Sequence, residues 1–159
     1  MGNENLTNLK ASLRGAVIGR DDGEYDEARK LYNGMIDKRP LVIARCADVA
    51  DVIAAVNFGR DNGLLVAIRG GGHNGPGLGS VDDGLVIDLS TMKGVRVDPA
   101  SRTVRVDPGC TSGDVDHATL WHQRVLCPIC GHPCHDVRPQ CDETLQPVYE
   151  AGLLFRELA

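Results

Sequence analysis

One histidine of this chain is set in a run of glycines, Arg69-Gly-Gly-Gly-His73-Asn-Gly-Pro-Gly77. Glycine serves where backbone must take positive φ or come close to a ligand. Consecutive amides in such a loop converge into an anion-binding concavity. Arg69 adds a fixed positive charge suited to phosphate, and His73 is held by backbone on both sides. In isolation, a surface turn with an incidental histidine is the plain alternative. The loop matches neither common phosphate motif. No Gly-Lys-Ser/Thr follows it, and Pro76 breaks the helix on which a dinucleotide pyrophosphate would sit.

A second set of reactive side chains lies near the C-terminus, Cys127-x2-Cys130-x-His132-x-Cys134-His135-x5-Cys141. Tetrahedral zinc needs four such ligands, and Cys-x2-Cys is a proper first pair. The loop to the second pair is too short for the usual arrangement. From about Leu120 the helical and strand periods both disappear. A tail without evolved structure, such as a shifted or truncated reading of a longer gene, is the favoured reading of residues 120–159. No metal is therefore assigned, and Cys127, Cys130, Cys134, His135 and Cys141 stand as the alternative set.

The elements that must position the glycine loop read clearly on either side of it. Leu64 to Ile68 enters as a strand, and Leu85-Val-Ile-Asp-Leu leaves as another. Upstream, Leu41-Val-Ile-Ala is a strand. Asp48 is the expected cap of a helix carrying Val49, Val52, Ile53, Ala55 and Val56, and Asn62-Gly63 ends it. This is a β-α-β unit with parallel strands. Asp82-Asp83-Gly84 is a turn. Downstream, Val95–Asp98 and Thr103–Asp107 alternate with period two and read as a hairpin with one face in the core. Thr111 or Ser112 caps a further helix through Val115, Ala118 and Leu120. At the N-terminus, Leu6, Leu9 and Leu13 mark a helix that stops near Gly15. Residues 24–35 read as a second helix or an irregular arm, with Asn33-Gly34 a turn.

Composition sets the class. The 159 residues suffice for one domain with a real core. Aromatic content is 4%, so that core is expected to be Val, Leu, Ile and Ala. A net charge of −5 argues against a general nucleic-acid surface. No apolar run has the length of a membrane span, and the N-terminus lacks the basic and apolar regions of a signal peptide. A cytoplasmic location is expected, and the six cysteines are not read as a disulfide framework.

Taken in order, residues 14–117 resemble the N-terminal part of the FAD-linked oxidases with a PCMH/vanillyl-alcohol-oxidase-type FAD-binding domain. The berberine-bridge-enzyme-like group is the nearest likeness. The resemblance rests on Tyr25-Asp-Glu-Ala-Arg29 with Tyr32-Asn33, Arg39-Pro-Leu-Val-Ile-Ala44 and Asp48-Val-Ala-Asp-Val52. It continues through Asp88-Leu-Ser-Thr-Met92, Val104-Arg-Val-Asp-Pro-Gly109 and Gly113-Asp114-Val115. Arg69-Gly-Gly-Gly-His73-Asn is its most specific element. The resemblance covers about two thirds of the chain.

The resemblance implies an α+β fold, with a small mixed sheet flanked by helices and an irregular C-terminal tail. It divides the chain into an N-terminal helical arm (1–38), a first, incomplete FAD-binding subdomain (39–119) and a Cys/His-rich tail (120–159). It implies FAD as cofactor, met by Arg69, Gly70, Gly71, Gly72, His73, Asn74, Gly75, Gly77, Ser90 and Gly109. His73 would be bonded covalently to the flavin ring. The implied partners are FAD and a small organic substrate that gives hydride to the flavin, with no nucleic acid and no membrane. The family's second glycine-rich segment and its substrate domain, which carries the catalytic base, do not appear. No catalytic residue is assigned in this chain, and the isolated chain is not expected to turn over substrate. Cys127-Pro128 is only superficially like the cysteine that makes a second flavin bond in part of the family.

Overall fold

The structure, a computed structural model, describes residues 3–101 and 103–119. Its centre is a four-stranded sheet in the order β1-β2-β4-β3. The strands are β1 (Ala16–Gly19), β2 (Val42–Arg45), β3 (Val66–Arg69) and β4 (Leu85–Asp88). β2, β4 and β3 run parallel, and β1 is antiparallel to β2. The expected β-α-β unit is present, with β4 inserted between its two strands. A separate antiparallel hairpin, β5 (Val95–Asp98) and β6 (Thr103–Val106), follows.

Period-two alternation sends successive side chains to opposite faces, and the central strands are apolar on both. Val42, Ala44, Leu85 and Ile87 face one layer, where they meet Leu9 and Leu13 and Ala55 of helix α3 (Val49–Asp61). Ile43, Val86 and Ala67 face the other, against Ile18, Tyr25 and Ala28. Helix α1 (Asn3–Ser12) lies on the first face, and the single turn α2 (Tyr25–Ala28) lies on the second. Strands buried on both faces read as continuous apolar runs, which is the pattern of Leu41–Ala44 and Leu85–Leu89. The core is aliphatic, as the composition predicts.

Helix α3 begins as expected. Asp48 caps it by accepting from the Asp51 N–H at 3.1 Å, and Gly63 beyond its end takes a φ of 60°. Helix α4 (Ser112–Thr119) opens with a reciprocal box. Thr111 Oγ1 accepts from the Asp114 N–H at 3.3 Å, and Asp114 accepts from the Thr111 N–H at 2.7 Å.

Three expectations are corrected. Residues 16–19 are a strand of the main sheet and not the end of a helical arm. Asp51 explains the change of direction. Its carboxylate is buried and accepts from the backbone N–H groups of Arg14, Gly15 and Ala47, each at 2.9 Å. That clasp ends the first helix at the sheet and feeds the chain into β1. Of the two readings of residues 24–35, the irregular arm is the one found, with the single turn α2 at its start. The hairpin β5–β6 has half-buried and exposed positions and none that is buried. Val49, Ile53 and Val56 of α3 are exposed, because the helix meets the sheet through Val52, Ala55 and Gly59.

Candidate functional site

The parallel strands β2, β4 and β3 end together at Arg45, Asp88 and Arg69. Ligands of parallel sheets bind beyond the carboxyl ends of the strands, and the glycine loop starts there, directly after Arg69. Ser90 follows β4 at the same end. The Pro108-Gly109 turn comes against both. A Cβ on Gly70 would stand 2.6 Å from the Pro108 carbonyl oxygen, and one on Gly109 would lie 2.8 Å from the Ser90 carbonyl carbon. Three segments far apart in sequence, 70–75, 90 and 108–109, thus meet at one edge.

The loop carries an unusual backbone state. The N–H groups of Gly70, Gly71, Gly72, His73, Asn74 and Gly75 donate to no acceptor among the described residues. Gly70 and Gly72 are nevertheless buried. Gly71 and Gly75 are exposed and His73 and Asn74 half-buried, so most of this run is reachable from solvent, and consecutive amides of this kind bind anions. Beyond Gly75 the pattern reverses. The Gly77 N–H donates to the Asn74 carbonyl at 3.0 Å, and the Leu78 N–H donates to Asn74 Oδ1 at 3.0 Å. Gly77 has φ 75°, and a Cβ there would lie 2.7 Å from Ile36. Gly77 therefore closes the loop and does not present a free amide.

Arg69 is not where a phosphate contact is expected. Its guanidinium is buried beneath the loop, 2.7 Å from Asp88 Oδ2, and donates to the carbonyls of Ala28 at 2.8 Å and Lys30 at 3.3 Å. Burial opposes the Asp88 charge. The neighbouring Arg69 and the donors of Ser90 outweigh it and hold the carboxyl below the ordinary carboxylate range. Asp88 in turn accepts from the Ser90 N–H at 3.0 Å. Arg69 and Asp88 thus brace the ends of β3 and β4, and they fix Ser90 and the root of the loop. Asp88 is the partner that a residue-by-residue reading omits. The signal for it was an arginine and an aspartate ending two consecutive parallel strands.

A second set of contacts, also missed in the sequence, comes from residues 30–38. The Tyr32 N–H donates to the Gly72 carbonyl at 3.2 Å, and Asn33 Nδ2 donates to the Gly75 carbonyl at 3.0 Å. Lys38 Nζ donates to the carbonyls of Gly77 at 2.8 Å and Ser80 at 2.9 Å. This strap holds the loop by its carbonyls. His73 is half-buried at the middle. Its ring stacks on Tyr32 with centroids 4.9 Å apart and planes 19° apart. Its Cδ2 edge rests 2.9 Å from where a Cβ on Gly71 would stand, so a side chain there would push the ring aside. Neither ring nitrogen has a hydrogen-bond partner among the described residues.

The proposed zinc ligands Cys127, Cys130, Cys134, His135 and Cys141 lie outside the described residues. Among the described residues no group of three or more His, Cys, Asp or Glu side chains is placed to hold a metal. No described helix is long and apolar enough to cross a membrane.

The family model described as an FAD binding domain matches residues 40–135, and the chain belongs to this family. FAD is its cofactor. The match runs past residue 119, where the sequence reading ends the subdomain. The chain is 38% identical over 104 residues to (R)-6-hydroxynicotine oxidase of Paenarthrobacter nicotinovorans, covering 65% of this chain and 23% of that protein. Its fold is similar to the crystal structure of 6-hydroxy-D-nicotine oxidase from Arthrobacter nicotinovorans. There the TM-score is 0.67 at 36% identity, over 70% of this chain and 25% of that one. A BBE-like protein of Physcomitrella patens superposes with TM-score 0.65 at 28% identity, over 77% of this chain and 28% of that one. The chain spans about a quarter of the length of the curated relatives it matches.

Proposed function

We propose that the loop 70–75 holds the pyrophosphate of FAD and that His73 is the residue joined covalently to the flavin ring. The free N–H groups of Gly70, Gly71, Gly72, His73, Asn74 and Gly75 form the pyrophosphate cradle, and they are the observation that carries the reading. Ser90 and Gly109 line the same edge. Arg69 and Gly77 act from below and behind, as supports of the loop. In a neutral imidazole the unprotonated nitrogen is a nucleophile, and His73 would supply it to the flavin's methyl carbon, that carbon losing a C–H proton while the electron pair passes into the flavin ring and from there to dioxygen. Bound flavin supplies the capacity to accept hydride, here from a small organic substrate, as part of an FAD-dependent oxidoreductase. The relatives' printed names include a nicotine-derivative oxidase, which supports an oxidase of small organic molecules.

The loop provides one wall of a cofactor pocket. An isoalloxazine ring without apolar burial on its other side binds weakly, and bond formation needs a near-attack geometry. The chain alone should therefore purify colourless or with substoichiometric, dissociable FAD. Continued by a family-like C-terminal part after His117, it should carry flavin that stays in the pellet after acid precipitation. His73→Ala in that longer protein should release the flavin on acid treatment without abolishing its binding. An unchanged flavin-peptide count after His73→Ala would remove His73 from the role.

A further inference from the structure

The imidazole of His73 stacks on the Tyr32 ring, and its Cδ2 edge lies 2.9 Å from where a Cβ on Gly71 would stand. Neither uses a ring nitrogen. A histidine on a glycine loop would otherwise sample several χ1 and χ2 wells, and each would aim its nitrogens differently. Hydrogen bonding is the usual device for fixing an imidazole, and it occupies a nitrogen. A stacked aromatic ring fixes the plane and leaves both nitrogens unoccupied.

Tyr32 itself is built into the loop by backbone. Its N–H donates to the carbonyl of Gly72, the residue before His73. The next residue, Asn33, donates from its side chain to the carbonyl of Gly75, two residues after His73. The pair therefore brackets the histidine on both sides. The Tyr32 side chain is 71% exposed, so the core does not depend on its ring. An aromatic ring kept mostly in water, anchored at its backbone and stacked on one imidazole, has its main packing partner in that imidazole.

We propose that Tyr32 is the positioning residue of His73. Its ring sets the imidazole plane, so that an unoccupied nitrogen faces the flavin, while Asn33 and the Tyr32 amide keep the loop carbonyls tied back. This rests on the reading that His73 meets flavin. It assigns Tyr32 no contact with the reacting atoms.

The test uses the isotope-labelled chain with Tyr32→Phe and Tyr32→Ala variants, read by NMR. His73 ring order should equal that of rigid backbone, about 0.85, in the wild type and in Tyr32→Phe, and fall below about 0.6 in Tyr32→Ala. The urea midpoint should stay the same in all three, and the amide shifts of residues 70–75 should change in Tyr32→Ala only by the loss of the Tyr32 ring current. On adding FAD, the His73 ring protons should shift in the wild type and Tyr32→Phe. In Tyr32→Ala that response should be lost while the loop amides still respond. Equal ring order and equal FAD response in Tyr32→Ala and wild type would overturn the proposal. So would a joint collapse of loop amide shifts and urea midpoint, which would make Tyr32 a structural support. Silence of every loop amide in the wild type even at an excess of FAD that fills a weak half-site would refute the flavin reading itself. The ring-order comparison would then still decide whether Tyr32 positions His73.

Discussion

Arg69 and Asp88 are register partners at the ends of two parallel strands, and their side chains meet at 2.7 Å with 7% and 3% exposure. The pair lies directly under the first residue of the glycine loop. Removing one partner of a buried pair leaves a charge without compensation and costs about 3–5 kcal/mol. Arg69→Met or Asp88→Leu alone should lower urea stability by that order. The double variant Arg69→Met/Asp88→Leu should recover more than half of the loss. If FAD affinity falls in Arg69→Met, it should return with stability in the double variant. A loss that persists would restore Arg69 as a direct phosphate contact.

Asp51 and Asp88 together predict an acid limb in the stability profile. Burial opposes both charges. The N–H groups of Ala47, Arg14 and Gly15 outweigh it at Asp51, and Arg69 with Ser90 outweighs it at Asp88, so both carboxyls lie below the ordinary value of 3.8. A depressed folded-state value means stability that is present above the unfolded value and lost as pH falls through the folded one. Urea midpoints should be level above pH 5 and should drop below pH 4. Asp51→Asn should cost about 2–3 kcal/mol near neutrality, because an amide cannot accept all of those N–H groups. It should also flatten the acid limb.

Two glycines of the same loop should behave differently. Gly77 combines φ 75° with Ile36 at 2.7 Å from any Cβ, whereas Gly75 has nothing within 4 Å and no positive φ. Gly77→Ala should cost about 1–3 kcal/mol through backbone strain. Gly75→Ala should stay within about 0.5 kcal/mol. Thermal unfolding of the two variants checks the contrast.

Cys46 should be chemically silent in the folded protein. It is fully buried after β2, and burial, followed by Asp51 and Asp88, pushes its thiol up to about 12. Only thiolate reacts. Iodoacetamide at pH 8, followed by peptide mass analysis, should leave Cys46 unlabelled in buffer and label it in urea.

The exposed stripe of α3 gives a fourth contrast. Ile53 is 57% exposed and Ala55 is fully buried on the same helix. Ile53→Glu should change the unfolding free energy by no more than about 0.5 kcal/mol. Ala55→Glu should prevent folding, since a carboxylate there has no partner in the sheet interface. Circular dichroism of the two proteins decides it.

The sequence by itself determined the elements whose cause is local. Asp48 caps α3 because its side chain reaches an N–H three residues on. Asp82-Asp83-Gly84 bends because short polar residues and a glycine stand directly before an apolar run. The glycine loop and its histidine, and with them the likeness to FAD-linked oxidases, also stand in consecutive residues. The tertiary structure decided whatever depends on a distant partner. Residues 16–19 are too short and too plain to read as a strand, and they become one because Asp51 clasps the turn before them and β2 offers a free edge. Val49, Ile53 and Val56 obey the helical period but miss the sheet, since helical spacing defines a stripe and not which stripe is covered. The charge of Arg69 looks available for phosphate in the sequence, and only the register of β3 against β4 shows that Asp88 takes it. Tyr32 lies 41 residues from His73 in the chain, and no periodicity links two side chains that meet because a strap folds back across a loop.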